Sequence, residues 1–272
     1  MDNYFVSSCK RVKDWICRQF GQKEKKTVHH KKLADGGEVI VWETGRAGEE
    51  AASYENLFLR KEIAGFRTNI RREQSCSIKS LTRDYLYKQL LSSGEYTFDH
   101  MLVIKDPYGE APLTALALFI LEEPARVRVT TKGNLKETDF VTELPKKKEH
   151  RVPILGMYAE KANDIVIEIL DDEGNCVKSH TFTIRTKRLP KSLRNVITVK
   201  KWTDKPAYSN IMINGGVKIH TCVFDIEGKI RYYLSRKPRG YGIFPLSDGH
   251  FFYMEKYISV PSYSNPQTVE IG

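Results

Sequence analysis

The sequence predicts a mainly β protein whose central part is an immunoglobulin-like antiparallel β-sandwich. Between Tyr96 and Pro190, about seven short strand patterns follow one another at intervals of roughly 8 to 12 residues, which is the spacing of such sandwiches. Apolar and polar residues alternate with period 2 within them, most clearly in ARVRVTT at 125–131. At 272 residues and 40% hydrophobic content the chain can bury a core. We expect the sandwich to occupy residues 94–190.

The strand patterns of the sandwich are of several kinds. PLTALALFIL at 112–121 is a nearly continuous apolar strand, and the Glu-Glu-Pro at 122–124 is expected to break it before ARVRVTT begins. A third strand is predicted at 140–144, before RVPILGMY. Pro153 in that segment must lie at an edge or a bulge, because proline cannot donate a ladder hydrogen bond. DIVIEIL and CVKSHTFTIRT, joined by turn residues at 171–174, predict a hairpin.

The residues before the sandwich, 1–93, predict a basic and mostly helical N-terminal extension. Apolar side chains recur at helical spacing over 5–20, among basic residues. This pattern is typical of an amphipathic helix that rests on an anionic membrane surface or docks on a partner. KEKKTVHHKK at 23–32 predicts a charged linker, and a brief strand follows at 38–42. Good helix formers from about 49 to 91 predict helices, which the glycine at 94 is expected to end.

The chain after the sandwich, 191–272, has the content of about one β-propeller blade. Four strand patterns follow one another there, the first two joined by a DIEG turn. They lie at 218–224, 230–234, 241–246 and 250–256. Four short antiparallel strands in succession make up one such blade. The arginines and tyrosines from 229 to 241 are then expected on a charged, aromatic outer strand.

Charge and cysteine content restrict the classes of partner. The formal net charge is +10, from 44 Lys plus Arg against 34 Asp plus Glu, and much of it lies in residues 10–32. Such a charge favours anionic partners in general. Because no reader motif accompanies the basic tract, we expect no nucleic-acid partner. The five cysteines are scattered without a CxxC pair, so they predict neither a metal site nor a disulfide framework.

No membrane-crossing or export segment is predicted. Lys10, Arg11, Lys13 and Asp14 interrupt the apolar residues near the N-terminus, so the uninterrupted core of a secretory signal is missing. The longest apolar run, Ala115–Leu121, is far shorter than the ~20 residues that a membrane-spanning helix needs. The sequence therefore predicts a cytoplasmic protein.

Three segments of the chain form an ordered set of motifs. They are EYTFDHMLVIKDPYGEAPLTALALFILEEPARVRVTTKG, HRVPILGMYAEKAND and TFTIRTKRLP. In this order they resemble the N-terminal β-sandwich domain of the bacterial aryl-sulfate sulfotransferases, in which NPYG, PLTA, an aliphatic strand, EPA with alternating valines and IPVLGLY recur. Asp106 stands where asparagine is usual in that family, and Met157 where leucine is usual. The resemblance covers roughly Glu95 to Tyr253 and implies that the sandwich is followed by a β-propeller.

The resemblance also implies a reaction. Members of the family move a sulfuryl group from a phenolic sulfate ester to a phenol through a covalent sulfo-histidine, without a nucleotide donor or another cofactor. Their catalytic histidines and arginine project from propeller blades, and the first lies in a G-[YF]-H-H-D-like segment that would follow residue 272. We therefore expect this chain to be an N-terminal portion that is inactive alone. We assign it no catalytic, cofactor-binding or metal-binding residue.

Each histidine of the chain is expected to have another role. His29 and His30 are adjacent in the predicted linker and diverge on a helix or a strand, so they are weak as a metal pair. Residues 100, 150 and 180 are histidines of the sandwich, with surface or structural roles. His220 is expected to be a packed or edge-exposed strand residue, and His250 opens a strand.

Two other functions remain open. The sandwich is a candidate for a stand-alone interaction or homodimerisation module, because exposed sheet edges can pair with a partner strand. Alternatively, residues 1–32 would bind an anionic membrane surface and make the chain a peripheral protein.

Overall fold

The computed structural model describes residues 27–55, 74–200, 210–213, 220–235, 243–245, 251–255 and 267–271. Its strands are β1 (Val28–Lys32), β2 (Glu38–Trp42), β3 (His100–Lys105), β4 (Ala115–Thr131), β5 (Phe140–Ile154), β6 (Ala162–Leu170), β7 (Cys176–Arg185), β8 (Asn210–Ile213), β9 (Cys222–Asp225), β10 (Ile230–Tyr233), β11 (Ile243–Pro245), β12 (Phe251–Glu255) and β13 (Gln267–Ile271). The helices are α1 (Thr44–Ala52) and α2 (Gln74–Ser92), and 3-10 turns lie at Lys136–Thr138 and Lys191–Leu193. The fold is mainly β, as predicted. The amphipathic helix predicted over 5–20 lies outside the described residues.

Strands β1 to β7 form one mixed sheet that curls into a half-barrel. The order is β1-β2-β3-β4-β6-β7, with β5 on the other side of β4. β2 and β3 pair in parallel, and the other neighbours are antiparallel. β4 changes partner along its length. Its residues 115–118 pair with β3, and its residues 126–131 pair with β6. The register with β5 is irregular between these two parts, from Ile120 to Val127, an irregularity of the kind that bends a strand.

The main core lies inside the half-barrel and joins strands from both of its ends. Alternate residues of the strands contribute to it, as the period-2 pattern predicted, and these side chains are buried. They include Val39, Val41, Met101, Val103, Ala117, Phe119, Val127, Val129, Ile165, Ile167, Phe182 and Ile184. One hydrophobic core therefore unites β2 and β3 with β6 and β7.

The opposite face of β2 and β3 is buried as well, under the helices. Ile40, Trp42, Leu102 and Ile104 pack in a second cluster with α1 and α2, including Leu86 of α2. Because both faces are covered, these strands have continuous apolar sequences, VIVW and MLVI, instead of alternating ones. None of the helices among the described residues is long and apolar enough to cross a membrane.

The sheet begins before the predicted sandwich. The strand predicted at 38–42 is confirmed, but the charged linker predicted over 23–32 is wrong for Val28–Lys32, which pairs with β2 along its whole length. Backbone hydrogen bonds to a neighbouring apolar strand make a strand of this charged segment. The sheet therefore includes part of the predicted N-terminal extension, and the division at residue 93 stays a prediction.

Two further local predictions have different outcomes. Helix α2 ends at Ser92, two residues before Gly94, whose φ of +74 is the left-handed conformation expected just after a helix. The break predicted at 122–124 is wrong, because β4 continues through it. The cross-strand partners of β4 in β5 pass from Ile120 directly to Ala125, so Pro124 needs no ladder hydrogen bond.

The edge and hairpin predictions hold. β6 and β7 form the predicted hairpin. Pro153 lies in β5, which among the described strands pairs with β4 alone and is therefore an edge.

Two three-stranded antiparallel sheets follow the half-barrel, in the orders β10-β9-β8 and β11-β12-β13. The hairpin predicted around the DIEG turn is β9–β10, and β11–β12 is the next predicted pair. Among the described residues the two hairpins lie in separate sheets, each with a third strand of its own, instead of in one four-stranded sheet. The propeller blade stays a prediction.

Candidate functional site

The most deeply buried polar cluster joins the half-barrel to the β9–β10 hairpin. Arg231 of β10 is 1% exposed and Asp225 at the end of β9 is 0% exposed. The arginine Nη1 lies 3.1 Å from Asp225 Oδ2 and donates to the hydroxyl of Tyr158, at 3.0 Å. The Tyr158 hydroxyl in turn donates to Asp225 Oδ2 at 3.0 Å. We call these three residues the buried triad.

The guanidinium of Arg231 is held by backbone as well as side-chain groups. Nε donates to the carbonyl oxygen of Gly156 at 2.6 Å, and Nη1 to that of Thr138 at 2.8 Å. The guanidinium carbon lies 3.9 Å from the centre of the Tyr158 ring, in cation–π contact. Nη2 is buried and has no hydrogen-bond acceptor among the described residues. A buried charge needs such partners, because its desolvation costs several kcal/mol.

Asp225 also stabilises the turn that follows its own strand, β9. Its Oδ1 accepts hydrogen bonds from the backbone N–H groups of Glu227 and Lys229, each at 3.0 Å. An aspartate that bonds to amides two residues or more ahead stabilises a turn of this kind. Burial raises the pKa of the neighbouring Tyr158 phenol, so that it stays a hydrogen-bond donor. The aspartate of the DIEG turn thus serves the turn and the buried triad together.

The contact between Arg231 and the half-barrel depends on the backbone conformation of Gly156. Its φ is +74, and a Cβ there would lie 2.7 Å from Cβ of Phe140. Only glycine fits both conditions without displacement. The glycine of RVPILGMY therefore allows its carbonyl group to reach Arg231.

A second contact joins the hairpin to the loop that carries KDPYGEAP. The backbone N–H of Ser235 donates to the carbonyl oxygen of Glu110 at 2.7 Å. Burial raises the pKa of Tyr232 and of Tyr233 to about 12, and the Asp106 carboxylate adds to both shifts. Residues 220–235 are therefore attached to the half-barrel at two separate places.

Asp106 stabilises the conformation of the loop that carries KDPYGEAP. Its φ of +45 is left-handed, a region that asparagine and aspartate enter more readily than other non-glycine residues. Its Oδ1 accepts a hydrogen bond from the N–H of Ala111 at 2.9 Å, and its N–H donates to Thr114. Asparagine at this position would meet the same conformational and hydrogen-bonding needs.

Comparison with known families agrees with this architecture. Residues 102–187 match the family model of the arylsulfotransferase Ig-like domain. This segment is an aryl-sulfate sulfotransferase N-terminal domain. The match runs from β3 to just beyond β7, so it confirms the resemblance over the Ig-like domain, while the part of the resemblance that extends to Tyr253 stays a prediction. No curated protein matches the chain.

The described histidines of the Ig-like domain are engaged in structural contacts. His150 is buried, and its Nε2 lies 2.8 Å from the carbonyl oxygen of Lys147. The His150 ring stacks on Phe119, and burial lowers the pKa of its imidazole. His180 is buried between two carboxylates, one at each ring nitrogen.

The other described histidines lie outside the matched segment. His220 was predicted within a strand but lies just before β9, where it is buried with Nδ1 2.8 Å from the carbonyl oxygen of Leu234. His30 and His100 face the two oxygens of the Glu38 carboxylate, at 2.9 and 3.2 Å. His29 lies apart from them, 3.8 Å from Glu43. Among the described residues no group of three or more possible ligands could hold a metal ion, and His250 lies outside them.

The buried triad is what sequence reasoning missed. Arg231 was predicted on a charged outer strand, and that prediction is wrong because the side chain is fully buried. The available signal was the DIEG turn, which places an aspartate six residues before an arginine on a paired strand. Sequence alone did not show that Tyr158, 67 residues before Asp225, completes the cluster.

Proposed function

We propose that this chain is the N-terminal portion of an aryl-sulfate sulfotransferase, in which the Ig-like domain is a scaffold that positions the strands following it. The buried triad carries the proposal. It attaches residues 225–231 to the Ig-like domain through two hydrogen bonds from Arg231 to backbone carbonyl groups and through the Tyr158 hydroxyl, which contacts both members of the desolvated Arg231–Asp225 ion pair. Partners held in this way have a fixed orientation, because any shift would leave a buried charge without its hydrogen bonds.

The reaction proposed for the complete enzyme is sulfuryl transfer between phenols. A neutral imidazole attacks the sulfur of a phenolic sulfate ester, the sulfur–oxygen bond to the phenol breaks, and the phenolate leaves. The sulfo-histidine then gives the sulfuryl group to the hydroxyl of a phenol acceptor, whose proton is released. Cationic groups and hydrogen-bond donors are needed around the sulfate oxygens as charge moves to the phenolate.

The attacking imidazole is proposed to lie outside this chain. An imidazole nucleophile needs one ring nitrogen with a free lone pair facing the substrate. His180 has a carboxylate at each nitrogen, while His150 and His220 are buried against backbone carbonyl groups. These contacts support structural roles for the three. A homodimer, binding of residues 1–32 to an anionic surface and a cytoplasmic location stay predictions.

An activity measurement tests the proposal. Two proteins are compared, this chain and the product of the same gene with any propeller sequence encoded beyond residue 272. With 4-nitrophenyl sulfate as donor and phenol as acceptor, we expect release of 4-nitrophenol by the longer product and none by the chain alone. Turnover by the chain alone would refute the placement of the nucleophile. A folded longer product that fails with a panel of aryl sulfates would refute the proposed function.

A further inference from the structure

A polar seam bridges the two ends of the half-barrel. β1 and β7 are the first and last strands of the sheet order, and no backbone ladder joins them in the described structure. Side chains span the gap instead. Lys31 of β1 donates to the carbonyl oxygen of Thr183 on β7. Three residues along β7, His180 contacts the turn between β1 and β2 and the turn before β3.

His180 is enclosed by carboxylates at both ring nitrogens. Nδ1 lies 2.5 Å from Oδ2 of Asp35, and Nε2 lies 2.9 Å from Oδ1 of Asp99. A carboxylate at neutral pH only accepts hydrogen bonds, so both ring nitrogens must donate. An imidazole with two N–H groups is the cation. The geometry around His180 therefore suits an imidazole that donates from both nitrogens.

The imidazole is buried while its partners are reached by water. The His180 side chain is 1% exposed, whereas those of Asp35 and Asp99 are 44% and 56% exposed. The ring stacks on Phe98 with centroids 4.4 Å apart. On another side it lies against Gly37, where a Cβ would come within 3.0 Å of the imidazole Cε1. The close approach of backbone and ring explains the second glycine of the Gly36-Gly37 turn.

The two carboxylates of the seam keep their charge near neutral pH. Burial alone would raise the pKa of Asp35, but hydrogen bonds from Gly37 and His180 bring it below its usual value. The hydrogen bond from Lys178 is the main cause that lowers the pKa of Asp99. Burial lowers the pKa of Lys31 from a normal value far above neutrality. The two aspartates thus contribute stability above about pH 4, and they lose it as the pH falls through their lowered pKa values.

We propose that His180 is a protonation-dependent clasp that holds the β1–β2 hairpin against the Ig-like domain. When the imidazole loses a proton, one ring nitrogen presents a lone pair to a carboxylate, and one of the two hydrogen bonds is replaced by repulsion. The hairpin precedes the matched segment 102–187, and β2 carries apolar residues of both cores. Release of the clasp would loosen the first two strands and leave β6 and β7 paired.

Hydrogen exchange tests the clasp directly. Amide protection factors, which correct for the intrinsic effect of pH on exchange, are measured between about pH 5 and about pH 9, on either side of the ordinary histidine pKa near 6.5. We expect the amides of β1 and β2 to lose protection by at least about tenfold as the pH rises, while those of β6 keep theirs. In His180→Gln the pH dependence should disappear. Unchanged protection of the wild-type hairpin, or an equal loss in His180→Gln, would overturn the proposal.

Two further variants serve as controls for the effect of His180→Gln. His150→Gln replaces another buried histidine, one without a carboxylate partner, and is expected to keep the wild-type pH dependence. Asp35→Asn changes a half-exposed group and should reduce the pH dependence even if His180→Gln fails to fold. A pH dependence that vanishes in His150→Gln, or one that is undiminished in Asp35→Asn, would count against His180 as the clasp.

Discussion

Two clusters in this structure have the same chemistry and opposite surroundings. The buried triad consists of Arg231, Asp225 and Tyr158; the surface triad consists of Arg151, Asp84 and Tyr108. In each, the guanidinium contacts both the carboxylate and the phenol, and the phenol donates to the same carboxylate. The buried triad joins the Ig-like domain to β9 and β10. The surface triad joins helix α2 to β5 and to the KDPYGEAP loop.

The two triads differ more in the solvent exposure of their arginine and aspartate side chains than in the distance between the two charged groups. The arginine and aspartate are 1% and 0% exposed in the buried triad, but 32% and 42% exposed in the surface triad. The nitrogen–oxygen distance is nevertheless longer in the buried pair, at 3.1 Å, than in the surface pair, at 2.5 Å. Water screens an exposed pair, so it contributes little, whereas removal of one partner of a buried pair leaves a desolvated charge. The shorter ion pair is therefore expected to matter less to stability.

The largest effect is expected from removal of the buried carboxylate. Asp225→Ala leaves the Arg231 guanidinium without its counter-ion and two turn amides without their acceptor. We expect the free energy of unfolding to fall by about 3–5 kcal/mol. Urea denaturation of the wild type and the variant measures this difference. A loss below about 1 kcal/mol would show that the two triads do not differ as their burial implies.

The matched change in the surface triad should be much milder. Asp84→Ala is expected to lower the free energy of unfolding by no more than about 1 kcal/mol, because the pair is screened by water. Added salt should shrink this loss further and leave that of Asp225→Ala almost unchanged. The same denaturation experiment at low and high salt gives both numbers. Equal losses for the two aspartate variants would contradict the comparison.

The smallest effect is a pH dependence at the phenol of the surface triad. Burial raises the pKa of Tyr108 to about 12, and its hydrogen bond to Asp84 adds to the shift. The unfolded chain loses this proton near pH 10 and the folded chain does not, so stability falls as the pH rises between these values. Because the side chain is partly exposed, we expect a loss of a few tenths of a kcal/mol.

Comparison with Tyr108→Phe isolates this contribution. The stability advantage of the wild type over the variant should shrink between about pH 10 and about pH 12, from the ordinary tyrosine pKa to the raised pKa of Tyr108. An advantage that grows with pH would mean that the sign of the shift at Tyr108 is wrong.

Local sequence patterns predicted the elements whose environment is regular. The period-2 alternation of ARVRVTT and the DIVIEIL–CVKSHTFTIRT hairpin are found as expected, and so is the helix end at Gly94. The same rules failed where pairing with a neighbouring strand determines the secondary structure. Val28–Lys32 is charged but becomes a strand beside β2, and the Glu-Glu-Pro at 122–124 lies within β4 because the register is irregular there.

The site was less predictable than the fold. The motifs of the Ig-like domain were sufficient to identify it, and the match over 102–187 agrees. The partners in the buried triad and in the His180 seam are far apart in the sequence: 67 residues separate Tyr158 from Asp225, and 145 separate Asp35 from His180. No local pattern links residues at such separations, because only the closing of the sheet brings them together.

The sequence by itself determined the mainly β fold, the sulfotransferase-type Ig-like domain and the turns that need glycine or aspartate. These properties depend on side-chain period, turn chemistry and motif order, which a linear chain displays directly. Only the tertiary structure decided that Arg231 is buried instead of exposed and that His180 lies between two carboxylates. Burial and charge pairing depend on what packs over a residue, and the packing partners come from distant parts of the chain.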